Sequence, residues 1–185
     1  MKGIIFNLLE EVVTQRYGAD AWDDILAGAQ SDGVFTSLGS YEDDHFVRLV
    51  GSASSRLHLP ADFVIRWFGT NAVPLLAKKY PGFFNKHNHT RSFLLTINGI
   101  IHPEVRKLYP GADTPDFDVD ASSPDMLALG YYSKRKFCAL AEGLITGAAD
   151  HYGEIVSIHH PTCMRRGDAA CRLELRFVQD KAHGA

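Results

Sequence analysis

Long hydrophobic runs are missing from this sequence of 185 residues. The longest apolar stretch, residues 93–101, is interrupted by polar residues and a glycine, and it is far shorter than the roughly 18–20 apolar residues that span a bilayer. The opening residues superficially resemble a signal peptide, but Glu10 and Glu11 interrupt the apolar run and no small-residue cleavage site follows closely. We therefore expect a soluble, cytoplasmic protein without a membrane-spanning segment.

An excess of positive charge is also missing. The 19 Lys and Arg residues are outnumbered by 22 Asp and Glu residues, which gives a formal net charge of -3, and the basic residues occur in doublets and triplets rather than in a stripe. Nucleic-acid-binding domains normally present a basic stripe or patch, so this composition argues against a nucleic-acid partner. A chain of this length with 45% hydrophobic residues can bury one core, which predicts a single domain over 1–185.

Helical spacing of apolar residues dominates the first 110 residues. The predicted helices span residues 2–17, 21–29, 40–57 and 60–79. Gly18 is expected to end the first of them, and Ser40 followed three residues later by Asp43 indicates the start of the third. Pro60 is expected to begin the fourth.

From residue 116 the pattern changes to the alternation that is typical of strands. Strands are predicted at 117–119, 126–131, 155–160 and 173–177, with one amphipathic helix at 137–148. Residues 179–185 are expected to form a frayed tail. The predicted fold class is therefore α+β, with a mainly helical N-terminal half packed on a C-terminal half that contains a small antiparallel sheet and helices.

Tyr131, Ser133 and Arg135 alternate immediately before the predicted helix of the C-terminal half. Two hydroxyls and a guanidinium can donate hydrogen bonds to carboxylates. Lys134 and Lys136 are expected to join Arg135 in the first turn of that helix, where the macrodipole already favours anions. The pattern predicts an anion-binding site, although a strand tyrosine, a helix-capping serine and a solvated arginine would satisfy it too.

His102 lies beside a predicted apolar helix face that includes Val105 and Leu108. A histidine in this setting is either a satisfied core residue or a metal ligand. Asn98-Gly99 and Pro103 weaken the helix on both sides of it, because proline lacks the amide N–H that would bond one turn back. The helix is therefore expected to bend or restart near His102.

Four features together resemble the haem-nitric oxide/oxygen binding (H-NOX) family over residues 1 to about 177: His102, the Tyr131-x-Ser133-x-Arg135 triplet, Pro115 between them, and the opening Met-Lys-Gly-Ile-Ile. The resemblance implies haem b between the two halves. It makes His102 the axial ligand of the iron, has the triplet grip the two haem propionates, and has Pro115 press on the haem. It also divides the chain into a distal helical subdomain, 1–60, and a proximal α/β subdomain, 61–185.

The same resemblance places Ile5 and Leu9 at the gas-binding side or edge of the haem, with Leu140 and Leu144 completing an apolar pocket. All four can equally be plain core residues. Family members that bind oxygen stably have a tyrosine at the position that matches Leu140. Iron-bound oxygen is partly anionic and needs a hydrogen-bond donor, whereas nitric oxide and carbon monoxide depend far less on one. Leucine at this position therefore favours the nitric-oxide-selective type of the family.

Cysteine is scarce, and its three copies, Cys138, Cys163 and Cys171, lie in the C-terminal part. His160 precedes Cys163 by three residues, a spacing common among zinc ligand pairs, and three thiolates with one imidazole complete a tetrahedral structural site. Some nitric-oxide-selective H-NOX members bind zinc on matching residues. The alternatives are buried free cysteines or a disulfide from Cys163 to Cys171. His159 competes with His160, because strand alternation lets only one of them point inward.

The resemblance implies a stand-alone gas sensor of the bacterial type, without catalysis of its own. In this family, nitric oxide binding weakens the iron-histidine bond and relaxes a distorted haem, and the change is signalled to a partner such as a histidine kinase or a cyclic-di-GMP enzyme. The alternative is a zinc-bearing module of the 4-vinyl reductase type that binds a small organic molecule without haem. A haem or zinc enzyme is disfavoured, because the zinc would be fully ligated and the distal side offers no evident acid or base.

Overall fold

The structure, a computed structural model, describes residues 1–179. Its helices are α1 (Gly3–Tyr17), α2 (Ala19–Ala29), α3 (Asp43–Leu57), α4 (Ala61–Lys79), α5 (Pro81–Phe84), α6 (Thr90–Leu94), α7 (His102–Leu108) and α8 (Cys138–His151). Its strands are β1 (Asp116–Asp120), β2 (Leu127–Tyr132), β3 (Glu154–Thr162) and β4 (Cys171–Gln179). The four strands form one antiparallel sheet in the order β1-β2-β4-β3. The α+β class is therefore confirmed.

Two further sequence predictions concern the C-terminal tail and membrane-spanning segments. Residues 180–185 of the predicted frayed tail lie outside the described residues. Within residues 1–179, none of the helices is both long enough and apolar enough to cross a membrane.

The N-terminal half is built around helices α1 to α4, whose apolar faces meet in one core. Phe6, Phe46 and Phe68 are fully buried there. Phe6 packs edge to face on Phe46, with ring centroids 6.2 Å apart, and Phe46 packs at a tilt on Phe68, with centroids 5.9 Å apart. Gly18 ends α1 with a φ of 88°, a conformation that glycine adopts without a steric penalty. These are the helices that the 3.6-residue spacing predicts.

The C-terminal half is a sheet covered on one face by α8. Leu127, Leu129 and Tyr131 of β2 are buried in one cluster with Cys171, Leu173 and Leu175 of β4, and Leu129 pairs directly with Leu173 in the register. Ala128, between two of them, is buried as well. Leu127 and Leu175 form the next pair and are also fully buried. The alternation of the sequence therefore translates directly into one covered sheet face.

Two predicted helix starts are wrong. Glu42, not Ser40, occupies the position before α3, and the Ser40 hydroxyl instead accepts a hydrogen bond from the Lys2 ammonium at 2.9 Å. Helix α8 begins at Cys138, so Arg135 and its neighbours precede the helix rather than forming its first turn. Lys136 has a φ of 54°, a left-handed conformation that no regular helix contains.

The two halves join where α4 packs on α8 at very short range. The hydroxyl of Thr70 donates to the carbonyl oxygen of Gly143 at 3.2 Å, and a Cβ added at Gly69 would lie 2.8 Å from the Leu140 carbonyl oxygen. Only glycines allow two helix backbones to approach this closely. Helix α4 also contributes Val64 to the core of the N-terminal half, so it contacts both halves, and the division of the chain at residue 60 stays a prediction.

Replacing Gly143 with alanine is expected to lower the free energy of unfolding by about 1–3 kcal/mol, the usual cost of overpacking. The added Cβ would overlap the carbonyl oxygen of Arg66 and lie 2.9 Å from its carbonyl carbon. Urea denaturation checks this. Gly51→Ala is the matched control, because that helical glycine has nothing within 4 Å of an added Cβ and alanine there should be neutral or stabilising. Equal unfolding free energies for the two variants would contradict the packing argument.

Candidate functional site

A cavity of about 410 Å³ lies between the helical half and the sheet. Its volume is within the range of roughly 300–1,000 Å³ that small-molecule and cofactor sites occupy. Eight of the predicted haem-site residues line it: Ile5, His102, Pro115, Tyr131, Ser133, Arg135, Leu140 and Leu144. Leu9 does not; it is 4% exposed and packs in the core of the N-terminal half.

His102 is the first residue of α7 and follows a π-helical turn at Ile97–Ile101. The predicted restart of the helix is therefore present, in the form of a turn that is frequent at functional sites. Burial lowers the pKa of His102 to about 4, with a further lowering from the charge of Arg106 and an opposing effect of Asp116. The imidazole is consequently neutral at physiological pH, which is the form that binds metals.

Arg135 sits at the polar end of the cavity between two carboxylates. Its Nε donates to Asp43 Oδ2 at 2.7 Å, and its Nη1 lies 3.0 Å from Asp113 Oδ2. Asp43 also accepts a hydrogen bond from the Met1 ammonium at 2.9 Å. Burial opposes ionisation of Asp43, but the hydrogen bonds from Arg135 and Met1 outweigh it and hold its pKa below the ordinary value. Sequence reasoning missed this contact of Asp43, because 92 residues separate it from Arg135.

Tyr131 and Ser133 complete the triplet from the end of β2 and the loop that follows it. Burial raises the pKa of Tyr131 to about 12, so its hydroxyl keeps its proton and remains a donor. Ser133 lines the cavity beside Arg135, and its hydroxyl accepts from the Arg135 backbone N–H at 3.3 Å. The structure therefore brings all three members of the triplet to one cavity.

The cavity walls fit a flat apolar cofactor that has carboxylates at one edge. Charged and hydroxyl groups gather around Arg135, whereas the remaining wall is mostly aliphatic and aromatic. Helix α7 contributes Val105 and Leu108 to the wall, but its residues are at most half-buried, and Leu108 is 47% exposed. A haem in this cavity would cover that apolar surface, and the imidazole of His102 would be within the same walls.

Two further tyrosines line the cavity that sequence reasoning did not single out. The hydroxyls of Tyr80, at the end of α4, and Tyr109, at the end of α7, hydrogen-bond to each other. Burial raises the pKa of Tyr80. Their hydrogen bond uses one of the two hydroxyl protons, and the other hydroxyl keeps its proton.

A second candidate site holds the three cysteines and His160. Their ligand atoms all lie within 4.8 Å of one another, and the sulfurs of Cys138 and Cys163 are 3.7 Å apart. A tetrahedral zinc with Zn–S bonds of about 2.3 Å requires sulfurs about 3.8 Å apart. All three cysteines are free and buried. The arrangement therefore fits a structural zinc ion.

The ionisation of the three thiols depends on whether a cation is present. Burial raises the pKa of Cys138 to about 12 and raises that of Cys171. Burial acts in the same direction on Cys163, but hydrogen bonds from the backbone N–H groups of Arg165 and Arg166 help to lower its pKa overall. Burial therefore keeps Cys138 and Cys171 protonated, and a bound divalent metal would be needed to ionise all three thiols.

Of the two adjacent histidines, the structure brings His160 to the thiols. Its Nδ1 lies 2.6 Å from Glu142 Oε1, and its Nε2 is buried without a hydrogen-bond partner among the described residues. A buried nitrogen without a partner is unusual unless a ligand is meant to occupy it. His159 points outward, where it contacts Glu174 at 3.1 Å.

Comparisons with known proteins agree with this geometry. The family model described as Haem-NO-binding matches residues 2–160. An H-NOX protein from S. oneidensis in the Fe(II)NO ligation state is 34% identical, with a TM-score of 0.90 over 97% of this chain and 100% of that one. The Shewanella oneidensis H-NOX domain in the Fe(II)CO ligation state is also 34% identical, with a TM-score of 0.88 over 97% of this chain and 100% of that one. The Fe(II) unliganded H-NOX protein from K. algicida is 25% identical, with a TM-score of 0.85 over 97% of each chain. By sequence and by fold, this chain belongs to the H-NOX family.

Proposed function

We propose that this protein is a haem-based sensor that binds nitric oxide and carbon monoxide. His102 carries the proposal, because among the described residues it is the one imidazole in the wall of the cavity, and burial keeps it neutral. Bound haem b supplies a ferrous iron with an open position for a diatomic gas. Its family relatives have been described in Fe(II)NO and Fe(II)CO states, which supports both ligands.

The triplet holds the two propionates in this proposal. Tyr131 and Ser133 donate neutral hydrogen bonds, and Arg135 offers a charge-assisted one. Asp113 is 70% exposed, so its contact with Arg135 is the one that a propionate replaces, whereas the contact with Asp43 keeps the guanidinium in place.

Apolar side chains around the cavity set the position of the macrocycle. Pro115, Ile5 and Leu144 all line the cavity and contact the haem in this proposal. Leu9 supports Ile5 from the core behind it, since both are part of α1.

Replacing His102 with alanine is expected to abolish the axial ligation and to shift or remove the Soret band of the ferrous protein. Absorption spectroscopy of protein produced with added haem precursor measures this. Free imidazole should restore part of the band, because it can enter the space of the missing side chain. A wild-type protein that stays colourless, or a variant with an unmoved Soret band, would rule out His102 as the ligand.

Selectivity for nitric oxide follows from Leu140, which offers no hydrogen bond to the cavity. Partly anionic bound oxygen gains from a nearby donor, whereas nitric oxide and carbon monoxide need none.

A Leu140→Tyr variant is expected to retain oxygen that the wild type does not hold. A hydrogen bond to a charged acceptor contributes about 1.5–3 kcal/mol, which corresponds to oxygen loss that is about 10–100-fold slower. Stopped-flow absorption of the ferrous proteins measures the rate. Leu140→Phe is the control, since it adds the ring without the hydroxyl. Stable oxygen uptake by the wild type would contradict the selectivity argument.

Signalling is assigned to α7 and the π-helical turn before it. The residues of both segments are half-buried or exposed rather than fully buried, so the element that carries His102 is weakly packed, as moving elements usually are. The ring of Phe117 on β1 lies 5.9 Å from the His102 ring, and Asn98 donates to the Phe117 carbonyl oxygen at 2.5 Å. In our proposal His102 would hold the haem iron, and these contacts would pass a displacement of His102 on gas binding to the sheet.

The protein signals to a separate partner, a histidine kinase or a cyclic-di-GMP enzyme, and has no catalysis of its own in this proposal. A cytoplasmic location is part of the same proposal. The family match over residues 2–160 favours a haem-based sensor over the alternative, a haem-free module of the 4-vinyl reductase type.

We also propose that Cys138, His160, Cys163 and Cys171 bind a structural zinc ion. The buried Nε2 of His160 and the spacing of the thiols support this. When bound, zinc neutralises the thiolates and ties α8 to β3 and β4.

His160→Ala is expected to lose zinc and to unfold at a lower temperature, whereas His159→Ala should keep both properties of the wild type. The two residues are adjacent, but only His160 faces the thiols. Elemental analysis of the purified proteins and thermal unfolding with and without a chelator measure the difference. Wild-type protein without zinc after purification in zinc-supplemented medium would contradict the assignment.

A further inference from the structure

We infer that Glu142 and Arg66 are positioning residues for the metal site: Glu142 orients the imidazole of His160 toward the thiols, and Arg66 orients Glu142. The inference rests on the proposed zinc site and extends it to two residues that contact none of the thiols in our assignment. It links the metal site to α4 in the other half of the molecule.

The contact between Glu142 and His160 fixes which ring nitrogen is available. Glu142 Oε1 lies 2.6 Å from His160 Nδ1, and both side chains are largely buried, with 11% and 14% exposure. An ionised carboxylate can only accept, so Nδ1 carries the proton and donates it. In the neutral imidazole Nε2 is then left with its lone pair, and it is buried without a partner among the described residues. A metal ligand needs this tautomer and this orientation.

Arg66 fixes the carboxylate in turn. Its Nε and Nη2 lie 2.7 Å and 2.6 Å from Glu142 Oε2, so the second carboxylate oxygen is also occupied. A buried carboxylate without a charged partner would be costly, and the guanidinium offsets that cost. The three side chains form a chain of contacts from Arg66 through Glu142 to His160.

The helix packing explains why these residues meet. Cys138 and Glu142 are four residues apart on α8 and therefore lie on the same helix face. The glycine-mediated contact of α4 with α8 brings Arg66 to that face, 76 residues away in sequence. One helix thus provides both a thiol ligand and the group that orients the imidazole ligand.

A carboxylate that accepts from a metal-bound histidine holds its ring in place and makes its free nitrogen a better donor. Loss of such a group typically weakens metal binding by about 10–100-fold. We expect that loss for Glu142→Gln, which keeps the size of the side chain but removes its charge. Arg66→Met should weaken binding less, because Glu142 then still reaches His160.

The test measures zinc affinity by competition with a chromophoric chelator, and the ligand field with cobalt(II) as a spectroscopic probe. Full-length protein is used for the wild type, for Glu142→Gln and for Arg66→Met. Asp62→Asn is the matched control, because Asp62 pairs with Arg165 beside the same site without contacting a ligand. The expected result is about 10–100-fold weaker zinc binding and altered cobalt absorption bands in Glu142→Gln, with unchanged values in Asp62→Asn.

A purely structural role for the pair gives a different result. Glu142→Gln would then lower the urea midpoint of the metal-free protein while its zinc affinity and cobalt bands stay at wild-type values, and that outcome overturns the inference. Arg66→Met provides the same comparison if Glu142→Gln does not fold. If the wild type binds neither zinc nor cobalt, the zinc site itself fails. If the wild type binds zinc, His160→Ala does not, and Glu142→Gln binds as tightly as the wild type, only the positioning role fails.

Discussion

The close backbone contact between α4 and α8 is the constraint on which both candidate sites depend. Gly69 and Gly143 allow the two helices to approach until the Thr70 hydroxyl bonds to a carbonyl of the facing helix. At that separation one face of α8 is directed at the cavity, through Leu140 and Leu144, while Cys138 and Glu142 are directed at the thiol cluster. A wider separation would move the wall of one site and a ligand of the other at the same time.

The same geometry explains why the two sites can differ so strongly in chemistry while sharing one helix. The cavity is lined by aliphatic and aromatic side chains and gathers its charges at one end, around Arg135. The thiol cluster is compact and is surrounded by charged pairs such as Arg66 with Glu142 and Arg165 with Asp62. Residues of α8 at i and i+4 share a face, whereas residues two apart do not, so a single helix can serve both.

Much of the fold could be predicted from sequence because its periodicities are local. The 3.6-residue spacing in α1 and the alternation in β2 and β4 depend only on neighbours in the chain, and both predictions agree with the structure. The triplet and His102 could be singled out for the same reason: the donors of the triplet lie within residues 131–135, and the helix-weakening residues lie within four positions of His102. Their roles in binding haem stay predictions.

What the sequence could not predict depends on partners that are distant in the chain. Asp43 looks like part of a helix start, yet its carboxylate bonds to Arg135 in the other half. Lys136 looks like a helix residue, but its left-handed backbone ends the loop before α8 begins. Arg66 carries no local pattern at all, and only the tertiary packing of α4 on α8 brings it to Glu142.

The weak packing of the His102 segment has a consequence for the cofactor-free protein. Both cores lie elsewhere: one among α1 to α4, the other between α8 and the sheet. In our proposal, a chain without haem can therefore be folded in most of its length while residues 97–108 touch the two cores only through partly buried side chains such as Ile97 and Val105. Insertion of the haem would complete the packing of this segment. The ordering of residues 97–108 and the filling of the cavity would then be coupled.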